Sequence, residues 1–226
     1  MLEDLLREMD SMKDARRAVA SARFFKTGMG EYGEGDIFIG LDVPEQRRLA
    51  KKYSGMRLAG IKKLLSSKVH EHRLTALLIL AERYRSEKKE VYDFYMKNIR
   101  YVNNWDLVDT SAPCILGNYL TDKKRSVLYK MAKGGLWERR ISIVATYEFI
   151  KNGDVEDTLR ICEMLLGDRQ DLIHKACGWM LREAGKKDIR NLENFLKKHR
   201  SQMPRTMLRY AIEKFPESKR KSYLCQ

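Results

Sequence analysis

The sequence predicts an all-α protein, and three observations carry that expectation. Leu, Lys, Arg, Glu, Ala and Met dominate its 226 residues, and these are strong helix formers. Only four prolines and 14 glycines punctuate the chain, and alternating β-branched runs are almost absent. Beyond about residue 40 the apolar positions recur in paired helical segments, the mark of a repeat array.

Taken in order, the first segment runs from Met1 to about Lys26 with a helical pattern. The run Gly28-Met29-Gly30-Glu31-Tyr32-Gly33-Glu34-Gly35 follows, ahead of Asp36-Ile37-Phe38-Ile39-Gly40. Its glycines match a dinucleotide-binding spacing, but a helical pattern precedes them instead of a strand, and the acids between them repel phosphate. The expected element is a hinge-like connection. The second members of the helix pairs are expected at 70–85, 104–120, 137–151, 171–186 and 204–215. Aligning them brings Arg73, Asp109, Arg140, Lys175 and Arg205 to equivalent places, at spacings of 36, 31, 35 and 30 residues. Units of this size stack into an α–α superhelix, a solenoid of the HEAT type. The expected organisation is one domain over residues 1–226, with residues 1–40 capping the array.

The charge names a partner. Forty-five Lys and Arg against 31 Asp and Glu give a formal net charge of +14, which implies a polyanion, with duplex DNA or RNA the first candidate. Cys114, Cys162, Cys177 and Cys225 show no CxxC spacing, and His70, His72, His174 and His199 form no compact ligand set. No metal and no cofactor is expected. The N-terminus is too acidic and interrupted for a signal peptide, and no run is long and apolar enough to span a membrane. A monomer in the cytoplasm is the expectation.

Two stripes separate on the helix beginning near Asp171. Ile173, Ala176, Cys177, Met180 and Ala184 follow helical spacing and should face the core. Lys175, Trp179, Arg182 and Lys186 follow the same spacing on the other side, so Trp179 shares its face with three cations. On the helix near Trp137, Ile141, Ala145 and Phe149 form one stripe and Arg140, Tyr147 and Lys151 another. Equivalent stripes along a solenoid make a concave basic face with aromatics interleaved, suited to a phosphate backbone.

Asp109 interrupts that ladder of cations. A carboxylate near phosphate costs affinity unless it does something else, and Trp105 stands one turn before it on the same helix face. Asp106, in the first turn, suits a capping or salt-bridged role. Pro113 cannot donate a hydrogen bond to the Asp109 carbonyl and crowds it, bending the helix beside the acid. Asp109 is therefore the candidate for chemistry.

The segments Trp105-Asp106-Leu107-Val108-Asp109, Trp137-Glu138-Arg139-Arg140 and Lys175 to Glu183 resemble the motifs of the bacterial AlkD-type DNA alkylation repair glycosylases. The resemblance runs from Ala22-Arg23-Phe24-Phe25-Lys26, through Val43-Pro44-Glu45-Gln46-Arg47, to the closing Met203-Pro204-Arg205 helix. It implies hydrolysis of the N-glycosidic bond of positively charged N3- and N7-alkylated purines in double-stranded DNA, without base flipping and without a metal. Asp109 is then the catalytic carboxylate, Trp105 and Trp179 pack on the lesion's deoxyribose, and Arg140 holds the backbone nearby. Phe24, Arg47, Arg73, Arg139, Lys175, Arg182 and Arg205 are the further expected DNA contacts. Phe24 stands where the family often has tyrosine, so a hydroxyl contact is lost there. Two other readings stay open: a non-catalytic binder of damaged or branched DNA on the same scaffold, and a protein-interaction solenoid.

Overall fold

In the computed structural model, residues 1–224 are described, and among them there is no strand beyond one isolated parallel bridge between Ile37 and Val69. The protein is all-α. The chain forms two compact units, Met1–Ser111 and Ala112–Gln226.

The first unit holds α1 (Leu2–Ser11), α2 (Ala15–Phe24), α3 (Val43–Lys52), α4 (Leu58–Leu65), α5 (His70–Arg83), α6 (Lys88–Lys97) and α7 (Trp105–Ser111). The N-terminal helical segment forms two helices. Asp14 sits in an extended conformation and accepts the Arg17 amide at 2.9 Å, which starts a new helix there, and its own amide donates to the Ile39 carbonyl at 3.0 Å. Capping also explains α3, where Asp42 and Glu45 satisfy each other's backbone amides around Pro44. Helix α5 is the centre of this unit, packed by α3, α4 and α7. Ten of its 14 residues are buried, from His70 to Leu80, including four polar or charged ones.

The segment between α2 and α3 is held more tightly than a hinge. Buried Glu71 of α5 accepts from the amides of Ile39 (3.0 Å) and Gly40 (2.8 Å). Gly40 is left-handed, and a Cβ there would lie 2.1 Å from the Asp14 carbonyl oxygen. The glycine amides that a phosphate would need are already taken, since Gly28 donates to Glu31 and Gly30 to Glu34, each at 2.9 Å.

The second unit opens with a π-helical stretch, Ala112–Gly117, where Pro113 interrupts the ordinary i to i−4 bonding. It continues through α8 (Asn118–Leu120), α9 (Ser126–Met131), α10 (Leu136–Ala145), α11 (Tyr147–Lys151), α12 (Glu156–Met164), α13 (Asp171–Lys187), α14 (Ile189–His199), α15 (Arg205–Ala211) and α16 (Glu217–Leu224). The elements expected at 137–151 and 204–215 are present but shorter or divided. The first breaks at Thr146, whose hydroxyl bonds the Ile143 carbonyl, and the second gives way to a turn after Ala211.

Helix α13 is the centre of the second unit, with α10, α11, α12, α14 and α15 around it. Its expected core stripe is observed: Ile173, Ala176, Cys177, Met180 and Ala184 are all fully buried. Cys162 and Cys177 are free buried thiols, whereas Cys225 lies outside the described residues. Gly178 lets α15 approach closely, because a Cβ there would stand 2.5 Å from the Met207 carbonyl oxygen. A Gly178→Ala substitution forces these helices apart. It is expected to cost about 1–3 kcal/mol, as overpacking does, read as a lower urea midpoint; an unchanged midpoint would refute the close approach.

Candidate active site

Helix α7 starts from a set of side chains that hold its first turn. Asn104, fully buried, accepts the Trp105 amide at 2.8 Å through its side-chain oxygen. Asp106 accepts the Leu107 amide through Oδ1 at 2.8 Å, and its Oδ2 lies 2.7 Å from His70 Nε2. The expected capping and salt-bridged role of Asp106 is therefore the observed one. His70 Nδ1 lies 3.1 Å from Asp36 Oδ2, which also accepts from Arg73 Nη2 at 2.6 Å and from the Asn104 amide at 3.4 Å. Arg73 further donates to the Ser67 carbonyl at 3.0 Å.

This network is interior and charged. Burial by itself would lower the His70 pKa, yet the carboxylates of Asp106 and Asp36 outweigh it and raise it above 6.5. Burial would raise the Asp36 pKa, but hydrogen bonds and charge from His70 and Arg73 outweigh it and lower it below 3.8.

An aromatic stack lies against the same residues. Trp105 stacks on Phe25 with ring centroids 5.2 Å apart and planes at 12°. Phe25 in turn stacks on Phe38 at 5.1 Å, and both meet the imidazole of His70, at 4.8 and 4.7 Å. Phe24, 65% exposed, meets Trp105 edge-on at 5.8 Å. Asp109 follows Trp105 by one turn and is half-buried, as Trp105 is.

The remaining expected contacts fall into three groups. Phe24, Arg47 and Arg205 are exposed. Arg139, Lys175 and Arg182 are half-buried and paired with acids: Arg139 with Asp168 at 2.6 Å, Lys175 with Asp171 at 2.7 Å, Arg182 with Glu213. Arg73 and Arg140 correct the sequence expectation, which puts both on a solvent-facing ladder. Arg73 is 4% exposed and bonded to Asp36 and Ser67. Arg140 is 5% exposed and donates to the Leu172 carbonyl at the start of α13. Spacing finds their helix faces but does not tell a surface cation from one satisfied inside. In the second unit Trp179 is half-buried, with its ring 5.9 Å from Tyr147.

Asp36, His70, Phe25 and Phe38 surround the start of α7 and Trp105, and sequence reasoning assigns none of them a role. The only signal is the acid and the aromatic residue in the segment after the glycines, which reads as connection.

Among the described residues no helix is long and apolar enough to cross a membrane. The sequence matches the model of a family described as DNA alkylation repair enzyme over residues 5–215. The chain is similar in fold to a solved structure described as a predicted DNA alkylation repair enzyme from Enterococcus faecalis. The TM-score is 0.72 with 17% identity, covering 91% of this chain and 97% of that one. No curated protein matches.

Proposed function

Because this chain belongs to the DNA alkylation repair enzyme family, we propose that it is a monofunctional DNA N-glycosylase that removes positively charged N3- and N7-alkylated purines from duplex DNA. One observation carries the proposal: Trp105 and Asp109 stand one turn apart on α7, both half-buried, with the indole stacked on Phe25. An aromatic face beside an acid suits a sugar that is becoming cationic.

An alkylated purine already carries positive charge, so it leaves as a neutral base without a general acid. The glycosidic electron pair departs with the purine, and oxocarbenium character develops on the deoxyribose. The Asp109 carboxylate stabilises that charge and orients the water that attacks the anomeric carbon. Trp105 packs on the deoxyribose, and the reaction needs no cofactor.

DNA contact is assigned to Phe24, Arg47 and Arg205, and to Arg139, Lys175 and Arg182 through exchange of an acid partner for phosphate. Arg140 acts from beneath, holding the start of α13, and Arg73 has no place among the DNA contacts. On this reading the chain is one glycosylase domain that acts as a monomer.

Chromatography of bases released from methylated duplex DNA tests the proposal. The expected products are 7-methylguanine and 3-methyladenine, with the phosphodiester backbone intact until abasic sites are cleaved. Tight binding to branched DNA with no base released from any alkylated substrate would establish the non-catalytic reading instead.

A further inference from the structure

The groups around His70 bear on α7 in two directions. In the ring plane, Nε2 faces Asp106, which in turn holds the Leu107 amide in the first turn of α7. Tilted against the ring lies Phe25, which also stacks on the Trp105 indole. Both ring nitrogens meet carboxylate oxygens, at 2.7 and 3.1 Å. An ionised carboxylate only accepts, so both contacts are satisfied only when both nitrogens carry protons.

The surroundings balance that charge. With both its nitrogens protonated, His70 adds a second cation beside Arg73, matched by the carboxylates of Asp36 and Asp106, and His70 and Arg73 are almost wholly buried. Arg73 Nη2 also lies 3.4 Å from His70 Nδ1, farther than the Asp36 oxygen. Glu71, next along α5, is turned to the Ile39 and Gly40 amides. From α7 the carboxylate facing His70 is Asp106, and Asp109 follows three residues later.

We infer that His70 is a positioning residue for the proposed glycosylase reaction: its imidazolium, clamped between Asp36 and Asp106 and tilted against Phe25, sets the orientation of Trp105 and Asp109. It touches no reacting atom in this role. When the proton is lost, one carboxylate faces a bare nitrogen lone pair and the imidazole loses its cationic contact with the Phe25 and Phe38 rings. The first turn of α7 is then released from its fixed angle, and displacements of about 1 Å at such a distance can cost up to about a hundredfold in rate.

This inference rests on the proposed reaction, and its test separates the two. Single-turnover base release and DNA affinity are measured from about pH 5.5 to 8.5, the range over which a histidine titrates. Wild type, His70→Gln, Asp106→Asn and the double variant are compared, while NMR follows the His70 ring and the Trp105 indole N–H in the same samples. The wild-type excision rate is expected to fall with the midpoint that NMR reads for His70, with affinity unmoved. Each single variant is expected to be slow and flat across that midpoint, and the double variant no slower than either, as for one coupled unit. His70→Gln excising at the wild-type rate, or a wild-type profile indifferent to the His70 midpoint, overturns the inference. If wild type releases no base, the glycosylase reading fails, and the indole signal decides this point alone. Movement with the His70 midpoint, abolished in His70→Gln, supports the clamp; an unmoved indole refutes it.

Discussion

Replacing Asp109 with asparagine is expected to slow single-turnover release of 7-methylguanine about a thousandfold while leaving DNA binding intact. The magnitude follows from charge. A carboxylate about 4 Å from the developing oxocarbenium centre, at an effective dielectric near 20, contributes roughly 4 kcal/mol. Expressed only in the transition state, that is about three powers of ten in rate. Asparagine keeps the shape and removes the charge, so the half-buried site is not opened. Affinity for DNA should hold or rise slightly, because a negative charge beside phosphate has gone. Base release by the Asp109→Asn variant at the wild-type rate would remove the catalytic role from Asp109, whatever the family.

Replacing Arg73 with methionine is expected to destabilise the fold by about 3–5 kcal/mol, the usual cost of stripping one partner from a buried ion pair. The side chains of Arg73 and Asp36 are 5% and 8% exposed, with the guanidinium 2.6 Å from the carboxylate. Methionine fills the volume but leaves Asp36 with only His70 and the longer Asn104 contact, and it orphans the Ser67 carbonyl. Urea unfolding reads the loss as a lower midpoint with the slope unchanged. A loss below about 1 kcal/mol, the range of surface pairs, would show that the network is not held as described.

The network also sets a pH window for stability. The folded His70 pKa lies above 6.5, so its contribution is complete below 6.5 and disappears as pH rises through the higher folded value. Asp36 runs the other way: its folded pKa lies below 3.8, so its contribution is present above 3.8 and is lost as pH falls through the lower folded value. Both act together between those two limits.

Some elements could be read closely from the chain. The helix expected at 171–186 is α13, Asp171–Lys187, because a long amphipathic run with a small-residue stripe has one stable way to bury itself. The expected disturbance at Pro113 is the π-helical stretch from Ala112, because a missing amide has a local consequence wherever the helix packs. Trp105 and Asp109 could be paired because one helical turn is a local distance.

Arg73 shows where that reading stops. Helical spacing places a residue on a face, but whether the face meets solvent or an acid from another segment depends on contacts far apart in sequence. Asp36 is 37 residues from Arg73 and 34 from His70, and no periodicity links them. The segment after the glycines likewise reads as part of a hinge-like connection until Glu71 is seen holding the Ile39 and Gly40 amides.

Local order along the chain was enough for the helical class, the apolar stripes, the family motifs and the pairing of Trp105 with Asp109, since each depends on neighbours within a turn or two. Which cations are interior was left to packing. So was the reach of Asp36 to His70 and Arg73, and the place of Phe25 between His70 and Trp105. Those outcomes rest on desolvation and on partners brought together from distant segments, and a buried charge is settled only by what stands beside it.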